Sequence, residues 1–488
     1  MEIIFPAVNI ELMTPFILIT LGGLSALLIS IVRNQIKDAI STIVTLLAII
    51  LAGIYTATLW DRGDLLLSGH LLVDNFSLFL NIIFLLGALL TVLISYHYGR
   101  QEYFRIPEFH SLLLFATLGM MLMASSTHLI TIFLGLETLS VSLYVLSGFS
   151  IHRIKSLESG LKYFVLGAFA SGFLLYGIAF LYGATGDMNL LVISDFLFSP
   201  GPKEDAFLLI GLALLLVGVA FKLALVPFHA WAPDVYEGAP TPVTAFMSAG
   251  VKAAALAVLI RILAATAVRD ITLLVNILSA LAVLTMVVGN VLAVTQRNIK
   301  RMLAYSSIAH AGYLLVAVLS GGLGTESILF YLAMYTLMNI GAFAVVLVVG
   351  GKGEKGIFLE DYADLGTRKP LLACCMAVFM FSLAGIPPTA GFLAKFYIFK
   401  SAVSAGYPGL VIIAVLASVV SVYYYIRVVY VMYMKEYTPG EEAAPAPALS
   451  ISSLVIVALA VTTAGVLFFG IFPNPLFAFL SSISPALY

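Results

Sequence analysis

Charge is what this chain most lacks. Only 10% of its 488 residues are Asp, Glu, Lys or Arg, the net charge is −1, and the mean hydropathy is +1.10. Soluble domains carry about 25% charged residues, so a water-soluble fold is excluded. The near-neutral balance also excludes the basic face that nucleic acid requires. Cysteine is scarce: Cys374 and Cys375 are the only two, and they are adjacent. Neighbours make a poor disulfide and are best read as small core residues. No CxxC cluster or HExxH motif occurs, and no iron–sulfur, haem, dinucleotide or zinc site is expected. Long polar stretches are missing too; 183–205 and 351–369 are only loop-sized.

Apolar runs fill the rest. Crossing ~30 Å of hydrocarbon takes ~20 apolar residues. About fourteen runs qualify, near 13–32, 39–60, 73–96, 109–126, 128–149, 157–182, 206–229, 241–265, 271–294, 300–320, 327–350, 370–404, 408–434 and 451–474. The expected fold class is an all-α polytopic membrane protein. The first run has no basic n-region or cleavage site and reads as a retained helix. The Pro/Ala-rich stretch 436–450 reads as a solvated linker.

Basic residues orient the chain, because connections facing the cytoplasm are enriched in them. With the N-terminus outside, the inward connections hold Arg33, Lys37, Arg100, Arg105, Arg153, Lys155, Arg297, Lys300, Arg301, Lys352, Lys355, Arg368, Lys369 and Lys435. The outward ones hold Arg62, Lys203, Arg269 and Lys400. Both termini are therefore expected on the non-cytoplasmic side.

Lys162, Lys222, Lys252, Lys395 and Glu137 fall inside the apolar runs. A charge at bilayer depth costs about 2.5–3.5 kcal/mol, so such residues imply charge movement across the membrane. Two runs also cannot be continuous helices. FKLALVPFHAWAPDVYEGAPTPVTAF (221–246) places Pro227 five residues after Lys222, and LAGIPPTAGFLAKF (383–396) places Pro387, Pro388 and Gly391 before Lys395. Proline removes a backbone donor and clashes with the preceding turn. Broken helices in matching places of two halves point to a transport site; a plain kink is the alternative. The halves echo one another weakly. ESGLKYFVLGAFASG (158–172) and ESILFYLAMYTLMNI (326–340) share Glu158/Glu326, Ser159/Ser327 and Tyr163/Tyr331 at an offset of 168. They open runs six and eleven, so the two copies cross in opposite directions.

Each charged residue suggests a role. Glu137 (IFLGLETLSVSLY) needs a partner, and Lys222 is the expected one; a static buried pair is the alternative. Lys252, among the small residues of SAGVKAAALAVLIR, and Lys395 are lysines kept from water, able to give up and retake a proton as arginine cannot. Lys162 lies nearer its helix end and could snorkel to the interface. His310 (SSIAHAGYLL) can relay protons between Lys252 and Lys395; a hydrogen-bonded core histidine is the alternative. His229 shares a face with Lys222 if the helix continues past Pro227. Thr138, Ser140 and Tyr144 read as hydrogen-bonding filler. Asp234 and Glu237 read as solvated or capping residues. The tyrosines, including the run 423–425, read as lipid-facing bulk and interface belt.

The segment 221–246, followed by Lys252, resembles the signature of the antiporter-like membrane subunits of proton-pumping NADH:quinone oxidoreductase (respiratory complex I), over nearly the whole chain. Three features match the N-type rather than the M- or L-type subunits: the loop DVYEGAP, a lysine at 395 where the M type has glutamate, and the absence of a long lateral helix after run fourteen. The resemblance implies two inverted five-helix repeats, runs four to eight and nine to thirteen, with helices 7 and 12 broken. The segments are then 1–108 (three helices), 109–265, 271–434 and 451–488. Glu137 and Lys222 correspond to the family's acid–lysine pair, Lys252 to its central lysine, Lys395 to the lysine of the second half-channel, and His310 to the bridge between them. No cofactor is implied on this chain; NADH, FMN, iron–sulfur clusters and quinone belong to partner subunits. Expected partners are the related M- and L-type subunits, small membrane subunits and lipid, in a bacterial inner membrane. A subunit of a cation/proton antiporter, a membrane-bound hydrogenase subunit and a passive scaffold for redox partners are the rival readings.

Overall fold

The computed structural model describes residues 9–32, 36–102, 104–198, 206–266, 272–436 and 451–483. Arg33, Lys203 and Arg269 of the charge tally, and 437–450 of the linker, lie outside the described residues. In chain order the helices are α1 (Ile10–Ile31), α2 (Lys37–Thr58), α3 (Asn75–Gln101), α4 (Ile106–Ser125), α5 (Leu129–Ser147), α6 (Ile154–Thr185), α7 (Leu190–Phe198), α8 (Ala206–Leu223), α9 (Trp231–Gly238) and α10 (Thr241–Phe246). A π-helical turn (Met247–Val251) leads into α11 (Lys252–Ala265). Then follow α12 (Thr272–Val294), α13 (Ile299–Leu319), α14 (Gly322–Gly350), α15 (Leu365–Arg368), α16 (Pro370–Ala384), α17 (Ala390–Ser404), α18 (Pro408–Met434), α19 (Ser453–Ile471) and α20 (Asn474–Leu480). A two-stranded hairpin, β1 (Asp64–Leu66) against β2 (Leu71–Val73), lies between α2 and α3 and was not expected.

Thirteen of these segments are long and apolar enough to cross a membrane. The fourteenth expected crossing, 370–404, is split into α16 and α17, each of 15 residues. Residues 241–265, α13 and α14 are almost wholly buried, whereas α1, α2, α6, α12, α18 and α19 are buried on one side only. The outer faces show leucine, isoleucine, valine and phenylalanine outward, which is stable only against lipid or another apolar protein face.

Both expected breaks are present, and they are built alike. Helix α8 ends at Leu223, and Ala224 takes the left-handed conformation (φ 55°). Helix α16 ends at Ala384, and Gly385 does the same (φ 86°). Leu225 N–H then reaches back to Ala220 O at 2.9 Å, and Ile386 N–H to Phe381 O at 3.0 Å. These are the long backbone bonds of a Schellman stop, which satisfy the last free carbonyls. A cis prolyl bond follows in each case, Val226–Pro227 and Pro387–Pro388. Every matched pair, from Ala220/Phe381 to Pro227/Pro388, is separated by the same stretch of sequence. The serines of the sequence echo act alike too: Ser159 Oγ donates to Val235 O (3.3 Å) on α9, and Ser327 Oγ to Tyr397 O (3.2 Å) on α17.

The ends of the helices that carry most basic residues are tied by a carboxylate the sequence reading passed over. Asn298 caps α13 by accepting from Lys300 N–H (2.9 Å) and Arg301 N–H (3.3 Å). That stop places Lys300 beside Glu354, with the Lys300 side chain fully buried. Glu354 accepts from Tyr98 Oη (2.6 Å), Thr241 N–H (2.7 Å), Thr241 Oγ1 (2.7 Å) and Lys300 Nζ (2.9 Å), and pairs with Arg153 at 3.0 Å. Burial pushes the Glu354 carboxyl up, but Lys300 and Arg153 overcome it and hold it down at about 2. One side chain thus joins α3, the start of α6, the start of α10 and the start of α13.

Candidate functional site

Lys252 opens α11 directly after the π-helical turn, a local widening that often marks functional positions. Its ammonium donates to the carbonyl of Ser307 on α13. Lys395 reaches back across the second break. Its Nζ lies 3.0 Å from Ala384 O, at the C-terminal end of α16, and 2.9 Å from Ser418 Oγ on α18. A helix C-terminus carries free carbonyls and partial negative charge, so the break itself supplies the acceptor. Both lysines are buried, and among the described residues neither is ion-paired.

A file of polar side chains connects the Lys395 region to His310. Lys395 Nζ sits 5.2 Å from the centre of the Tyr313 ring. Asn290 Nδ2 donates to Tyr313 Oη (3.0 Å), and Tyr424 Oη donates to Asn290 Oδ1 (2.9 Å). The Tyr424 and Tyr425 ring centroids are 4.4 Å apart. Tyr425 Oη lies 3.0 Å from His310 Nε2 and also contacts Ser306 Oγ. The other imidazole nitrogen, Nδ1, meets Tyr331 Oη. Ser307, whose carbonyl takes Lys252, is one turn of α13 from His310. The hydroxyls of Ser307 and Tyr335 are buried beside it.

Lys222, the next-to-last residue of α8, does not pair with Glu137 as expected. It donates to Ser140 Oγ at 2.8 Å. Its ammonium also lies 5.4 Å from the Tyr144 ring centre, 5.3 Å from Tyr163 and 5.9 Å from Phe221. Glu137 is half-buried, and its Oε1 is buried without a hydrogen-bond partner. Ser140 and Tyr144 are therefore more than filler, because the fold turns them toward the amine.

Lys162 is not held at depth. Its side chain is 40% exposed and bridges Glu158 (2.7 Å) and Asp234 (2.8 Å). Asp234 also pairs with Arg301 (2.7 Å), Arg301 with Glu237 (3.0 Å), and Glu237 with Lys155 (2.7 Å). Asp234 and Glu237 are thus network members rather than solvated caps. Lys162 belongs with them and not with the file. His229 sits past the first break, half-buried, with Nδ1 unpartnered, and the structure does not bring it to Lys222.

Residues 126–421 match the family described as NADH:quinone oxidoreductase/Mrp antiporter, transmembrane. A NADH-quinone oxidoreductase subunit N from Trichlorobacter lovleyi is 50% identical, with 98% of this chain and 97% of that protein covered. The chain belongs to the subunit N family of NADH-quinone oxidoreductase. A chain of respiratory complex I from Thermus thermophilus is similar in structure, with a TM-score of 0.80 at 35% identity over 95% of this chain and 98% of that one. A chain of the Mrp complex from Dietzia sp. shares the fold, with a TM-score of 0.84 at 21% identity, 97% of this chain and 96% of that one being covered.

For this subunit N chain, sequence reasoning placed Tyr313 beside His310 but missed Asn290, Tyr424 and Tyr425. The three tyrosines of the 423–425 run were expected at the lipid surface; Tyr424 and Tyr425 are buried, and of the three only Tyr423 faces outward. A signal was available. Ser306, His310 and Tyr313, and likewise Ser418, Ser421 and Tyr425, recur at helical spacing within otherwise apolar runs, which marks a polar stripe on one helix face.

Proposed function

We propose that this chain carries protons across a bacterial inner membrane as a membrane subunit of NADH-quinone oxidoreductase. The observation that carries the reading is the pair Lys252 and Lys395, buried and without ion pairs among the described residues, with His310 and its polar file reaching toward both. An ammonium without a counter-charge in low dielectric is costly, so each amine can exchange its proton with neighbouring carriers. Tyrosine hydroxyls and a neutral imidazole both donate and accept, which suits a relay. The hydroxyls of Ser307 and Tyr335 and the Oδ1 of Asn339 are buried close to the file, and water joining it would complete their hydrogen bonding.

In this reading Lys222 and Glu137 form the entrance to the first half. They are not in direct contact, so they act as two separate charges rather than as a fixed pair. Lys162 and His229 are peripheral carriers. The segments are 1–108, 109–265, 271–434 and 451–488, the middle two being inverted repeats. The two breaks, built alike around Ala224 and Gly385, support that symmetry. Both termini face away from the cytoplasm, which the basic residues at the opposite helix ends support. Nicotinamide, flavin, iron–sulfur and quinone chemistry belongs to partner subunits; the residues described for this chain bind, orient and move protons.

The test is Lys252→Ala beside Lys252→Arg in the assembled complex, with proton uptake and quinone reduction measured together. Alanine removes the carrier, and arginine keeps the charge but does not release a proton. Both are expected to cut pumping at least tenfold while assembly persists. Unimpaired pumping in Lys252→Ala sinks the proposal.

A further inference from the structure

The amine of Lys222 has rings where a carboxylate was expected. Tyr144 (α5), Tyr163 (α6) and Phe221 (α8) each bring a ring centre within 5.9 Å of Nζ. Tyr163 is fully buried and stacks on Trp231 at 4.7 Å with 7° between the planes. Tyr144 meets Tyr163 edge-on at 4.9 Å. Trp231 is the first residue of α9, beyond the break, and its indole N–H donates to Phe221 O at 3.0 Å, back across the break. A strap therefore joins the two halves of the broken helix, and the same strap seats a wall of the lysine's box.

We propose that Tyr163, held by Trp231, is a positioning residue that binds the Lys222 ammonium with its ring face, so that the relation between α8 and α9 sets how firmly Lys222 keeps its proton. Ring faces attract cations, and more strongly when water is excluded. A neutral amine gains nothing comparable. Moving α9 away from α8 draws Trp231, and with it Tyr163, off the amine and favours proton release. The titratable groups reaching Lys222 are Glu137 and Tyr144 from α5 and Tyr163 from α6. The hydroxyl of Tyr163 is buried without a hydrogen-bond partner, so its face rather than its oxygen addresses the lysine.

The inference rests on the pumping role proposed above, and its test separates the two. Tyr163→Phe keeps the face and loses the hydroxyl; Tyr163→Leu loses both. Proton uptake per quinone reduced is followed against pH in the assembled complex, with Lys252→Ala alongside. Tyr163→Phe is expected to match the parent. Tyr163→Leu is expected to lose severalfold in pumping at alkaline pH, its alkaline limb moving toward neutrality. Equal loss in Phe and Leu variants, or no loss in Leu while Lys252→Ala fails, overturns the aromatic role. Unimpaired Lys252→Ala overturns the pumping reading itself.

Discussion

The Lys300 ammonium lies 2.9 Å from the Glu354 carboxylate, and neither side chain is more than 1% exposed. Arg153 adds a second cation at 3.0 Å. Removing one member of a buried charge cluster leaves the others uncompensated, at a cost of about 3–5 kcal/mol. Glu354→Ala is thus expected to lower the melting temperature of the detergent-solubilised complex by several degrees, and Lys300→Met to do likewise. The pH dependence follows from the depressed Glu354 carboxyl. Its contribution is complete above the ordinary glutamate range, near 4.3, and fades as pH falls toward about 2. Melting temperatures of parent and Glu354→Gln are expected to draw closer as pH falls from 7 to 3, without meeting by pH 3. Curves that stay equally far apart at every pH would count against this account.

Ala224 and Gly385 hold equivalent left-handed positions, yet only one is glycine. A side chain in that region costs of order 1 kcal/mol. Ala224→Gly is expected to stabilise the α8 stop by about that amount, although glycine gives back some unfolded-state entropy. Gly385→Ala is expected to destabilise by at least as much. Its added Cβ would also stand 3.0 Å from the Lys395 side chain. Thermal denaturation measures stability, and proton uptake reports the disturbance at Lys395. A neutral Gly385→Ala would show that the two stops are not equivalent.

Tyr425 is the hydroxyl that His310 and Ser306 share. Tyr425→Phe keeps its packing and removes only that oxygen. Pumping is expected to slow about tenfold, roughly 1.4 kcal/mol in barrier, with assembly and electron transfer unchanged at limiting load. Full-speed pumping in Tyr425→Phe would mean that protons pass His310 by another route.

Much of this architecture was legible in the sequence because its causes are local. Hydrophobic length fixes the crossings, and proline with its missing N–H fixes where 221–246 and 383–396 break. Lys252 and Lys395 stand out because a charge in an apolar run is conspicuous wherever the helix lies. The choice of partner was a different matter. Whether Lys222 meets Glu137 or Ser140 depends on how α5 and α8 rotate against one another. Tyr423 and Tyr424 differ by a single step along α18, yet one meets the surface and the other the file, since successive helical residues point ~100° apart. Glu354 stands in the loop-sized stretch 351–369 and drew no notice there, and only the folding of four distant helix ends around it enclosed its carboxylate. Local sequence determined which segments span and where they break; helix rotation and long-range packing, which no short stretch encodes, decided which amines, rings and carboxylates meet.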